Sequence, residues 1–130
     1  METTVTDAKQ AYLQAVEALL GGDGATAIRL LAPLVGPETP QEVRLALGKA
    51  YLMAGQGAEA IQMLATCEPQ GPTARAYVEL LRAAAEAKAG RPDEAKARLE
   101  AIPGLEPRFE HAARQLQRRI ENDRPPAIRF

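Results

Sequence analysis

Apolar residues recur three and four positions apart along most of this chain, and Gly and Pro interrupt the recurrence at intervals. That period puts them on one side of a helix. The first run holds Ala8, Tyr12, Ala15, Val16, Leu19 and Leu20. Thr6 or Asp7 can cap its start, and Gly21-Gly22 ends it. Asp23 opens a second helix with the stripe Ala27, Ile28, Leu31, Leu34 and Val35, stopped by Gly36-Pro37. A third starts near Pro40, which suits a first turn because it has no amide hydrogen to leave unpaired. Val43, Leu45, Ala46, Leu47, Ala50, Tyr51 and Met53 make it apolar around much of its circumference, as expected of a helix with neighbours on two sides. A fourth helix runs from about Gly57 to Cys67, with Ala60, Ile61, Leu64 and Cys67 inward. A fifth follows Pro72 and continues to Ala89. A sixth starts at Pro92, carries Asp93 and Glu94 where negative charge suits the helix dipole, and stops at Pro103-Gly104. The seventh starts at Pro107, bears Phe109, Ala112, Ala113, Leu116 and Ile120 on one face, and ends at Asp123-Arg124-Pro125-Pro126. β-branched and aromatic residues are sparse, so the expected fold is all-α.

Three segments share one local pattern. They are Gly22-Asp23-Gly24-Ala25-Thr26-Ala27-Ile28, Gly55-Gln56-Gly57-Ala58-Glu59-Ala60-Ile61 and Gly90-Arg91-Pro92-Asp93-Glu94-Ala95-Lys96. Their leading glycines stand 33 and then 35 residues apart. Recurrence near 34 residues in a helical composition is the mark of stacked helix–turn–helix units. Within the second unit the chain reads Arg44-x2-Leu47-Gly48-x2-Tyr51, then Ala60-x3-Leu64, then Pro72.

On those residues the chain resembles the tetratricopeptide repeat family, whose pattern is Trp-x2-Leu-Gly-x2-Tyr, then Ala-x3-Phe, then Pro. Arg44 departs from the Trp position, and Leu64 mildly from the Phe. The first unit keeps Ala27-x3-Leu31 but has Gln14, Ala15 and Ala18 in its first helix; the third keeps Ala95-x3-Leu99 and Pro107 but has Arg82, Ala83 and Glu86. The resemblance covers roughly residues 7–107 and implies a right-handed helix–turn–helix solenoid of three TPR-like hairpins, about 7–40, 41–72 and 73–106, with helix 107–122 covering the last one. Residues 1–122 then form one domain, and 123–130 an extended tail. Gly48 and Ala60 are expected where two helices cross, with Tyr51 and Leu64 filling space against the next hairpin.

Lone residues give little sign of chemistry. His111 has no second His and no nearby Cys, so it reads as a surface residue rather than a metal ligand. Cys67 is the only cysteine, cannot form an intrachain disulfide, and reads as a small core residue beside Glu68. Gly21-Gly22-Asp23-Gly24 lacks the Gly-Lys-Ser/Thr of a phosphate-binding loop and is an inter-helix turn. No carboxylate pair and no Ser–His arrangement stands out. The expectation is binding without catalysis, with no cofactor and no metal.

Charge adds one asymmetry to a formal net of −1. Residues 1–72 carry four Lys/Arg and eight Asp/Glu, whereas residues 107–130 carry six Arg and three acids. The basic run Arg114, Arg118 and Arg119, with Arg108 and Arg124 near it, has no stacking aromatics beyond Phe109. It reads as a solvated helix face, and a nucleic-acid partner is disfavoured. No apolar stretch approaches the roughly 20 residues of a membrane span, and Met1–Asp7 lacks the basic start and apolar run of a signal peptide. A cytoplasmic protein is expected.

The resemblance further implies that the first helices of the hairpins line a concave surface that binds a peptide or helix. By register with the second unit the lining is Lys9, Tyr12, Val16 and Leu20; then Leu45, Lys49, Leu52 and Met53; then Tyr77, Leu80, Ala84 and Lys88. Tyr77 and Leu80 are also the best candidates for core among them. A carboxylate clamp of the kind some family members use needs two Asn in first helices, and the one Asn here is Asn122. The expected role is a protein-interaction adaptor or scaffold. The alternative is a dedicated chaperone similar to the small repeat chaperones of bacterial secretion systems. The tail, with Ile128 and Phe130 on one side, reads first as a frayed end, with docking on a repeat surface or weak self-association as the alternative.

Overall fold

The computed structural model describes residues 5–102 and 107–123. Among them lie α1 (Val5–Leu20), α2 (Gly24–Leu31), α3 (Gln41–Met53), α4 (Gly57–Ala65), α5 (Pro72–Lys88), α6 (Pro92–Glu100) and α7 (Pro107–Asp123), with no strand. Of the expected tail, Asp123 is the last residue of α7, and 124–130 fall outside the described residues, as does Pro103-Gly104. α1 begins at Val5, slightly before the expected cap, so Asp7 sits in its first turn. α2 tightens into a 3-10 turn over Ala32–Leu34. Pro33 there has no amide hydrogen to continue the α-helical bonding.

The three glycine turns are built alike. Gly22, Gly55 and Gly90 have φ of 78°, 77° and 78°. Only a residue without Cβ adopts that left-handed conformation at no steric cost. At each, the glycine N–H donates three residues back and the next N–H donates five residues back. The pairs are Gly22 to Leu19 and Asp23 to Ala18, Gly55 to Leu52 and Gln56 to Tyr51, and Gly90 to Ala87 and Arg91 to Glu86. That double bond pattern closes a helix end and satisfies carbonyls that would otherwise be orphaned. The chain then re-enters a helix at once, which makes three hairpins: α1–α2, α3–α4 and α5–α6.

Each helix packs on its neighbours in sequence, and α1 touches α3, α3 touches α5, and α5 touches α7. Counted from the turn glycine, the same positions are buried in every hairpin. Ala15, Gly48 and Ala83 are the small residues of the first helices; Ala27, Ala60 and Ala95, then Leu31, Leu64 and Leu99, belong to the second helices. Gly48 faces Leu64 itself, since a Cβ added there would lie 2.6 Å from Leu64 Cδ2. Leu64 therefore fills its own hairpin's crossing and also reaches the next hairpin, where it clusters with Ala85 and Leu81 of α5.

The hairpins join through glycines that open the second helices. A Cβ on Gly24 would stand 2.8 Å from the carbonyl oxygen of Ala50, and one on Gly57 would stand 2.5 Å from the Ala89 nitrogen. The N-terminus of α2 thus rests on the backbone of α3, and that of α4 on the end of α5. Pro92 occupies the same register in α6. α7 lies against both α5 and α6, burying Ala113 and Ile120 with Leu80, Ala83, Ala95 and Leu99.

Arg44, which stands where the repeat pattern has Trp, works by hydrogen bonding. Its Nη1 donates to the Thr66 carbonyl at 2.6 Å, and Gln41 Oε1 accepts from the Glu68 N–H at 2.7 Å. Thr66 Oγ1 also donates to the Met63 carbonyl. These bonds turn the chain after Ala65, so α4 ends before Cys67.

Candidate functional site

α1 and α3 border two adjoining hollows. One, of about 340 Å³, is lined by Tyr12, Val16, Leu19 and Leu20 of α1 and by Glu42, Leu45, Ala46, Lys49 and Met53 of α3. The other, of about 530 Å³, lies between Ala8, Lys9 and Tyr12 and the segment Pro33, Leu34, Thr39, Pro40, Glu42 and Val43. They share Tyr12 and Glu42. Together they follow α1 from Ala8 to Leu20, which is about 18 Å of helix at the usual rise.

Helical periodicity explains why these side chains line up. Ala8, Tyr12, Val16 and Leu20 are four apart, as are Leu45, Lys49 and Met53, so each set forms one ridge. Leu20 is 84% exposed and Met53 51% exposed, both large apolar side chains facing solvent at one end of the groove. Leu20 and Met53 stand at the same distance before their turn glycines, at the C-terminal ends of parallel-running ridges.

Six of the twelve residues expected on the concave face, Tyr12, Val16, Leu20, Leu45, Lys49 and Met53, surround the first hollow. Lys9 lines the second. Lys49 Nζ also lies 5.6 Å from the centre of the Tyr77 ring, a cation–π contact that links α3 to α5. Tyr77 in turn stacks on Phe109 of α7 at 5.8 Å with 29° between the rings. Leu52 packs with Ala60, Leu64 and Ala85, and Leu80, 9% exposed, packs under α7. Both are in the core clusters and not around the two hollows. Ala84 is half-buried and Lys88 exposed.

Glu42, Leu19 and Ala46 line the groove without having been anticipated. Glu42 was within reach of the sequence, because it stands as far before Gly55 as Lys9 stands before Gly22 and Tyr77 before Gly90. By the same register Leu52 matches Leu19 and Ala87, which both pack into core clusters, Leu19 also reaching the edge of the first hollow.

Elsewhere the chemistry is structural. Glu86, 6% exposed, is paired with Arg98, whose Nη1 also donates to Glu79 Oε2 at 2.6 Å. The Glu86 hydrogen bond, more than the smaller opposing effect of desolvation, holds the Arg98 guanidinium above its already high pKa. Burial pushes the Cys67 thiol up, and nearby Arg44 only partly opposes that, so it is less a thiolate than an exposed cysteine is. His111 is exposed, and Arg114 pairs with Glu110 on the outer side of α7. Among the described residues no three His, Cys, Asp or Glu side chains come together as metal ligands, and no helix is long and apolar enough to cross a membrane. No family model matches the chain, and no curated protein or solved structure does either.

Proposed function

We propose that this chain is a TPR-like solenoid that acts as a non-catalytic interaction module, holding a helix or an extended segment of another protein against the inner faces of α1 and α3. The observation that carries this reading is the continuous groove over Tyr12, Val16, Leu20, Leu45, Lys49 and Met53, with Leu20 and Met53 left largely in solvent. Large exposed apolar side chains beside a concave surface mark contact sites more often than a scatter of single ones does. Met and Tyr suit such a site, being adaptable and amphipathic. The repeat reading is supported by three turns with one hydrogen-bond scheme and by small residues buried at one register in all three hairpins.

The test is site-specific photo-crosslinking in cells. A photoreactive amino acid at Val16 should capture a defined partner. The same probe at the outward-facing Arg118 should not, and adding Lys49→Glu with Met53→Glu should abolish capture without loss of helicity. Equal capture from both positions would place the functional surface elsewhere.

A further inference from the structure

Resting on the groove as a contact surface, we infer that its occupant is an amphipathic helix with acidic flanks, not an extended peptide. The argument is backbone hydrogen bonding. An extended segment brings an unpaired N–H and C=O at nearly every residue, and an apolar groove must supply their partners. Among the residues lining the two hollows, the polar side chains are Lys9, Tyr12, Thr39, Glu42 and Lys49. Thr39 Oγ1 is already engaged, donating to the Leu34 carbonyl at 2.9 Å and accepting from the Gly36 N–H. The Glu42 carboxylate and the Tyr12 hydroxyl remain to accept and the two lysines to donate, while the end of the groove at Val16, Leu19, Leu20 and Met53 offers an incoming backbone no polar side chain. A helix satisfies its own backbone and asks only for apolar contact.

The shape agrees. The two ridges advance by four residues, which is the spacing at which an incoming helix presents its own side chains. The span of about 18 Å accommodates about 12 residues of helix. Charge selects the flanks. Lys9 and Lys49 line the two hollows, against the single acid Glu42. Residues 1–72 are net acidic, and these two lysines are half of the four cations in that segment. A helix bearing Glu or Asp beside its apolar stripe would meet them.

The probe is a synthetic amphipathic helix of about 18 residues, long enough to hold helical structure, with a Leu stripe at three- and four-residue spacing and Glu flanks. Two controls share its length and stripe: one carries Lys flanks, and one carries two central prolines. Binding is read by fluorescence anisotropy on the full chain, and by the shift of amide NMR signals of α1 and α3. The Glu-flanked helix should bind, and the Lys-flanked one should bind roughly tenfold more weakly, with the difference shrinking as salt rises. The proline-broken peptide should not bind. Val16→Glu with Met53→Glu should abolish binding while circular dichroism stays that of the parent. If the proline-broken peptide binds equally and the groove variant still blocks it, the helical occupant is refuted and the groove reading survives. If peptides bind but the groove variant is indifferent, the groove reading itself fails. No binding by any peptide refutes the helical occupant, and the crosslinking experiment then decides the groove separately.

Discussion

Hairpins two and three fill one packing position with opposite chemistry. Tyr51 stands four residues before Gly55, and Met63 eight residues after it; both are half-buried against the core cluster of α1, α2 and α3. Glu86 and Arg98 occupy the same two positions around Gly90, and they form an ion pair with Glu86 almost fully enclosed. Hairpin one has Ala18 and Leu30 there, again apolar. The position therefore requires volume that leaves nothing unsatisfied, and it is met by an apolar pair twice and by a bridged pair once. The charged version is held by more than two groups, since Glu79 accepts from Arg98 and from Arg82 at 3.3 Å. Such networks resist removal of a member more than they add stability as wholes.

The largest effect should come from breaking that pair. Arg98→Met leaves the enclosed Glu86 carboxylate without its partner and should cost about 3 kcal/mol in urea unfolding. Combining Arg98→Met with Glu86→Tyr copies hairpin two and should return stability to within about 1 kcal/mol of the parent. A double variant no more stable than Arg98→Met alone would mean that the two positions are not equivalent.

A second contrast lies at the junctions. Gly57→Ala puts a methyl group against the backbone at Ala85 and Ala89, which cannot rotate away. It should destabilise by about 2 kcal/mol through overpacking, although Ala would otherwise gain roughly 1 kcal/mol of helix propensity over Gly. Pro92→Ala, at the same register before α7, should stay within about 1 kcal/mol of the parent. Equal losses would show that α6 meets α7 as closely as α4 meets α5.

The groove and the packed half of the same inner face offer a third contrast, in binding more than in stability. Tyr12, Leu45 and Leu80 share one register, yet Leu80 is covered by α7 while Tyr12 and Leu45 border the open hollow. Lys49→Glu with Met53→Glu should shift stability by no more than about 1 kcal/mol, Met53 being exposed and Lys49 half-buried over the Tyr77 ring, while removing binding of the Glu-flanked helix. A large loss of stability would mean that the Lys49–Tyr77 contact is structural support for α5.

Much of this was legible in the sequence because helical periodicity and glycine turns are local signals. The seven helices, the turn glycines and the small buried residues follow from spacing alone. Leu80 was already the better candidate for core, but Leu52 did not follow, because whether an apolar residue on that edge lines a groove or packs depends on the neighbouring helix. Glu86 shows the same limit. A glutamate in a helix reads as solvated, and its burial depends on Arg98 in the next helix, 12 positions on. Arg44 looked like a lost Trp, and its bond to the Thr66 carbonyl spans a loop whose path the sequence does not specify.

The smallest effect compares the starts of the second helices. Asp23 caps α2, its side chain accepting from the Thr26 N–H at 3.1 Å, whereas Gln56 at the same place caps α4 with no side-chain bond. Hydrogen bonding from Thr26 holds the Asp23 carboxyl below its usual 3.8, and Arg29 adds a lesser pull in the same direction. A carboxyl whose folded-state pKa is depressed favours the fold above its unfolded value and loses that contribution as the pH falls through the folded one. Asp23→Ala should therefore lower the melting temperature slightly at neutral pH, and the gap from the parent should narrow as the pH is taken below 3.8. Asp23→Asn, which keeps an accepting oxygen without charge, should fall between the two. Gln56→Ala should show no such dependence on pH. A gap for Asp23→Ala that persists unchanged well below that pH would mean that the cap acts through its geometry alone, with no contribution from its charge.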